Sequence, residues 1–274
     1  MNGEPPDVRY ARLPALRGVA WLRDAYSMVS GARLPWLVLL FLYYLVLGVI
    51  DFIPFIGQIA APILKPVFAV GFLAAAWSQE RGGTPEPKQL FQGFRSNLWA
   101  LIPLGLFLVV GITLAVLGTA LVDDGKLLDV LSGKAKFDDA LLADGQVQYA
   151  MLFAAAAAMP VMLALWFAPA LVVFQDCSAP VALRSSLLAA LANWKPIAVY
   201  ALLVFFFGGV VPGMATAAIA LVAPASVALT IALVLLLPYL FLFIATLHVS
   251  DYVSYRDIFH AGDATAPGPA KPGA

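Results

Sequence analysis

Apolar residues run through this chain in blocks too long for the core of a soluble domain. Leu34 to Ile50 contains no charge, and Phe52 to Trp77 contains only Lys65. A bilayer core about 30 Å thick needs roughly 20 apolar residues at about 1.5 Å each, so spans are predicted over 34–51 and 55–77. Between them, Pro54 lacks the N–H that would continue the first helix and Gly57 allows a tight reversal. Pro62, Pro66 and Gly71 inside the second arm predict a kinked helix, packed where neighbours re-satisfy the freed carbonyls.

The pattern recurs downstream. A third span is predicted over 99–122, with Gly105, Gly111 and Gly118 available for close helix packing. A fourth over 147–175 carries Pro160 and Pro169 and should bend. From Pro196 to Ser250 there is no Asp, Glu, Lys or Arg, enough chain for two spans at about 20 residues each. They are predicted over 196–223 and 225–250, breaking at Ala223-Pro224; Gly208 to Gly213 offers a competing break, and Gly209 and Gly213 have GxxxG spacing.

Three shorter segments alternate with helical period. In 15–30, Val19, Trp21, Leu22, Ala25, Tyr26 and Val29 share one face, and Arg17, Arg23, Asp24, Ser27 and Ser30 the other. This predicts an interfacial helix lying on the bilayer. In the segment starting at Lys88, Leu90, Phe91, Phe94 and Leu98 cluster; in the one starting at Pro180, Leu183, Leu187, Leu191 and Trp194 face away from Ser185, Ser186 and Asn193. The order amphipathic segment, span, break, Pro-bearing span thus occurs three times, a likeness of pattern that would fit an internal threefold repeat. Residues 1–14 and 261–274 lack apolar periodicity and are expected to be disordered flanks of one domain, 15–260.

The predicted fold is therefore all-α: a polytopic membrane bundle of six transmembrane helices with three amphipathic helices. Composition agrees, since 62% of the 274 residues are hydrophobic and 12% charged, about half the roughly 25% charged residues of a soluble domain. Six spans put both termini on one side. That side carries Arg9, Arg12, Arg17, Arg23, Arg33, Arg81, Lys88, Arg95, Arg184, Lys195, Arg256 and Lys271, against Lys126, Lys134 and Lys136 opposite. Because short-loop Lys and Arg stay inside, both termini are expected in the cytoplasm and the acidic excursion 123–146 outside.

Chemistry is sparse. No phosphate-binding loop, nucleophile elbow or HExxH motif occurs. Cys177 is the single cysteine and His248 and His260 the only histidines, too few for common zinc sites. An enzyme is the poorer reading and no cofactor or metal is expected. Equal numbers of acidic and basic residues give no basic excess for nucleic acid. The aspartates of the excursion lack EF-hand spacing and read as a solvated cap. Arg17, Arg23 and Arg33 would favour anionic lipid, or simply mark topology.

Two polar sets invite a functional reading. Lys65, Gln58 and Asp51 could form an intramembrane site, with Gln58 and Lys65 seven apart on a small, polar stripe facing the bundle; intramembrane charges are functional candidates by default. Alternatively, Lys65 snorkels towards the surface, with Asp51 as partner. His248 and Asp251, three apart near the end of span six, could relay a proton or anchor the helix among headgroups.

Trp21-Leu-Arg-Asp-Ala, Leu34 to Gly57 with its Ile-Pro-Phe-Ile-Gly, Pro66 to Phe72 and Leu90 to Arg95 resemble an uncharacterised family of proteobacterial inner-membrane proteins. The resemblance covers about Trp21 to Phe259 and implies several transmembrane helices; it assigns no activity and transfers no site. Two functions stay open: a structural or interaction protein that organises lipid or a partner, and a small-solute permease or channel.

Overall fold

The computed structural model describes residues 8–260 apart from positions 55, 137, 139, 140 and 142. The expected disordered tail 261–274 and residues 1–7 lie outside the described residues. Among those described there is no strand, and six helices are long and apolar enough to cross a membrane: Arg33–Asp51, Ile56–Glu80, Leu98–Asp123, Gly145–Gln175, Trp194–Val222 and Ser226–Phe259.

Helix α1 (Arg17–Gly31) precedes α2 (Arg33–Asp51) and α3 (Ile56–Glu80). The α2–α3 reversal is tight because Gly57 has no Cβ: one built there would stand 2.2 Å from the Ile50 carbonyl oxygen. Helix α3 runs through Pro62 and Pro66 and is the central span. Its apolar window is 61% buried, against 28% for Leu98–Asp123 and 11% for Trp194–Val222.

The second amphipathic segment departs from the expected α-helix. Pro87–Arg95 is a 3-10 helix, opened by a capping box in which the Gln89 side chain accepts from the Glu86 N–H at 2.7 Å. At three residues per turn, Leu90 and Gly93 lie on one line, and that line presses against α3. A Cβ on Gly93 would meet the Val67 carbonyl oxygen at 2.0 Å, and one on Gly71 would meet the Leu90 backbone at 2.6 Å. Phe91 and Phe94 form the neighbouring line and reach Phe68 with ring centroids 6.4 and 5.3 Å apart.

Helix α4 (Leu98–Leu117) crosses α3 at Gly105, where a Cβ would lie 2.0 Å from the Ile63 carbonyl oxygen. Gly111 and Gly118 meet Val161 and Phe153 of the fourth span, so all three glycines mark helix contacts. Short helices α5 (Ala120–Asp123) and α6 (Lys126–Leu131) follow. Here the Asp123 carboxylate accepts from the N–H groups of Gly125 and Leu127 at 3.0 and 2.8 Å.

The fourth span is two helices, α7 (Gly145–Trp166) and α8 (Ala168–Gln175). Pro169 lacks the N–H that would bond to the carbonyl one turn back, and the chain breaks at Phe167. Next, α9 (Ala179–Ala192) lies against α7 and α8 and turns polar residues towards the bundle. Ser186 and Asn193 are buried, while Leu188, Leu191 and Trp194 are exposed. Beside lipid, large apolar side chains have no reason to turn inward, and the polar ones find backbone partners in the bundle.

The fifth span joins α10 (Trp194–Phe205) through a π-turn, Phe206–Val210, to α11 (Val211–Val222). Its wider spacing admits Pro212 without a break, and the chain reverses at Ala223-Pro224, where Ala223 is extended. Gly209 and Gly213 are not a helix crossing, since nothing lies within 4 Å of a Cβ at Gly213. Helix α12 (Ala225–Phe259) has 35 residues, about 52 Å, and its last third packs against α1 and α3.

The densest core lies at the end of the bundle where α1, the 3-10 helix, α9 and the end of α12 gather, around Trp21, Trp36, Phe68, Phe72, Tyr252 and Tyr255. Residues 8–14 are irregular but held there. Ala11 N–H donates to the Ile258 carbonyl at 2.7 Å, and Asn193 accepts from Leu13 N–H at 2.9 Å and donates to the Ala11 carbonyl at 2.8 Å. This part of the expected loose terminus is attached. Of the three amphipathic segments, the first and third are α-helices and the second is a 3-10 helix.

Candidate functional site

Asp51, Gln58 and Lys65 are all exposed, and no hydrogen bond or ion pair joins them. The expected stripe facing the bundle is thereby corrected: Ala61, Val67, Phe68, Val70, Ala74 and Ala75 set the inner side of α3, leaving the line of Gln58 and Lys65 outside. Lys65 stands about 14 Å along the helix from Ile56 with a stem free to run along it towards the surface.

His248 packs as an aromatic. Its ring stacks on Phe72 at 4.0 Å and 6° and meets Tyr43 edge-on at 5.8 Å. Asp251, one turn on, is partly buried, and no hydrogen bond joins the two. One residue away, the Tyr200 and Ser250 hydroxyls share a hydrogen bond of 2.5 Å.

A charged network closes the end of the bundle. Glu80, the last residue of α3, accepts from Tyr252 Oη and from Arg256. Arg256 also reaches Asp257 at 3.3 Å. The Asp257 carboxylate accepts from Arg17 Nε at 2.6 Å and from Trp21 Nε1 at 3.0 Å. Signs alternate along Glu80, Arg256, Asp257 and Arg17, so the group is neutral as a whole. The hydrogen bond that Arg17 donates to Asp257 holds it more firmly charged than usual, against its partial burial. Sequence reasoning missed this set because its members lie up to 240 residues apart; the available signal was the charges at the ends of spans two and six.

Beside the network, α1, the π-turn and α12 enclose a cleft of about 630 Å³ lined by Val19, Leu22, Leu203, Phe207, Leu242 and Phe243, with Arg23 at its edge. Tyr239 Oη donates to the Phe207 carbonyl inside the π-turn at 2.6 Å. A Cβ on Gly208 would meet the Phe243 ring at 2.8 Å. The wall is therefore a fixed surface of the fold. Arg23 bonds Asp24 through Nε and Nη2 at 3.1 and 2.9 Å.

Comparison with known proteins fits a membrane bundle without assigned chemistry. The chain is 32% identical over 261 residues to a "Probable inner membrane protein" of Burkholderia thailandensis, covering 92% of this chain and 94% of the other. The chain belongs to that inner-membrane family. Similarity runs nearly end to end. No protein-family model and no solved structure matches the chain. It is thus a multi-pass protein of the inner membrane, as the resemblance implied.

Proposed function

We propose that this protein works by interaction within the inner membrane, organising lipid or a protein partner, and neither conducts a solute nor catalyses a reaction. The observation that carries the reading is the outward position of Lys65. A solute path needs polar groups converging at the midplane of the bundle, and the charge deepest in a span points away from its neighbours. The polar groups at the end of the bundle are turned on one another. Broken helices favour the permease reading, but the break at Phe167 is filled by Ser186. Arg17 is engaged by Asp257 and Arg23 by Asp24 through Nε and Nη2, which leaves Arg33 and the Nη1 group of Arg23 as the basic groups of α2 and α1 open to anionic lipid.

The excess of Lys and Arg at their end supports a cytoplasmic location for both termini. Purified protein reconstituted into liposomes decides the functional reading. Release or uptake of protons, potassium and neutral amino acids should match protein-free vesicles, and protein-dependent flux lost on Lys65→Leu would overturn it in favour of a permease.

A further inference from the structure

The cleft under α1 is a defined concavity on the side of the bundle. Its apolar floor follows α12 from Thr246 to Tyr239, seven residues or about 10 Å into the apolar layer. Helix α1 roofs it, with Tyr26 54% exposed at the opening, where aromatic rings sit at headgroup level. Among the described residues of its lining the only charged one is Arg23, whose side chain is 75% exposed. Asp24 occupies Nε and Nη2 and leaves both N–H groups of Nη1 as donors. An apolar slot with a guanidinium in its lining matches one molecule of the bilayer in chemistry. A phospholipid presents an acyl chain pointing inward and a phosphodiester at headgroup level, and guanidinium is suited to phosphate.

We infer that the cleft between α1, the π-turn and α12 holds one phospholipid, its acyl chain along Leu203, Phe207, Leu242 and Phe243 and its phosphodiester on Arg23 Nη1. This rests on the interaction role proposed above and names its ligand. The fixed wall separates such a site from passing annular lipid. Gly208 lets Phe243 pack against the π-turn, and Tyr239 ties that turn to α12.

The test is native mass spectrometry of the full-length protein in mild detergent, delipidated and then equilibrated with palmitoyl-oleoyl phosphatidylglycerol or the matching diacylglycerol. One phospholipid should be retained per chain. Diacylglycerol, lacking the phosphate, should bind about tenfold more weakly, the factor expected for one charge-assisted hydrogen bond. Arg23→Gln, an exposed change that leaves packing intact, should lower phospholipid retention to the diacylglycerol level. Val19→Trp, which fills the slot from α1, should abolish both. Val110→Trp on the outer face of α4 should change neither. Equal retention by all four proteins would mean annular lipid only and overturn the site, as would a second copy of the chain in place of lipid. If flux is found while retention behaves as expected, the interaction role fails and the cleft stands; if neither flux nor selective retention is found, the cleft alone fails.

Discussion

Ser186 Oγ stands between the Leu163 carbonyl and the Phe167 N–H, donating to the first at 2.8 Å and accepting from the second at 3.0 Å. An unbroken helix would join those two backbone groups directly, so the hydroxyl bridges the ladder at the break. Ser186→Ala leaves both groups without a partner in a water-poor site and should destabilise the protein by about 1–3 kcal/mol, read as a lower thermal midpoint in detergent. Glu80 poses the same question for a charge. Glu80→Gln removes a partner from Arg256, whose side chain is only 24% exposed, and the loss should fall at or below about 3 kcal/mol because the pair is not fully dry. Asp24→Asn, in an exposed pair, should cost far less in the same assay. Cys177 is fully buried, and burial, with Asp176 beside it, pushes its thiol above the usual range. Less thiolate is then present at neutral pH, so alkylation should be slow in the folded protein and fast after denaturation. Rapid labelling of native protein would contradict that burial.

Elements in this bundle meet backbone to backbone where glycine permits it. Gly93→Ala would place a methyl 2.0 Å from the Val67 carbonyl oxygen and should prise the 3-10 helix from α3, costing about 1–3 kcal/mol as overpacking does. Gly213→Ala meets nothing within 4 Å and should be neutral or stabilising by about 0.5–1 kcal/mol as a helix-interior change; a large loss there would restore the GxxxG contact. These two glycines also mark the limit of what sequence conveys. Length and apolarity made the six spans legible, and small residues pointed to the α3–α4–α7 contacts. Period alone misread Pro87–Arg95, because Leu90, Phe91 and Phe94 fall on one side of a helix at either 3.6 or 3.0 residues per turn. It also left α9 unoriented, since an amphipathic pattern says which residues are alike and not which face meets protein when the other meets lipid. Lys65 failed for a related reason: sharing a line with Gln58 does not say which way the line points. The Glu80 network and the cleft join distant residues that no local pattern pairs.

At the scale of the whole molecule, six crossings bring both ends of the described chain to one end of the bundle, and the proposed orientation puts that end in the cytoplasm. Native Cys177 is a poor reporter of it, because burial silences the thiol on either side of the membrane. Two exposed positions serve instead in a Cys177→Ala background: Thr84, in the link between α3 and the 3-10 helix, and Ser132, just after α6 in the excursion. Neither lies in a span, and the two are separated by one crossing, Leu98–Asp123, so they must fall on opposite faces. In intact spheroplasts an impermeant maleimide should label Ser132→Cys and spare Thr84→Cys, with permeabilisation exposing both. Reversed labelling would keep the six spans and invert the molecule, leaving its basic end outside against the retention of Lys and Arg. Labelling of both in intact spheroplasts would remove the third crossing, and with it the reading of α4 and α5 as a membrane span.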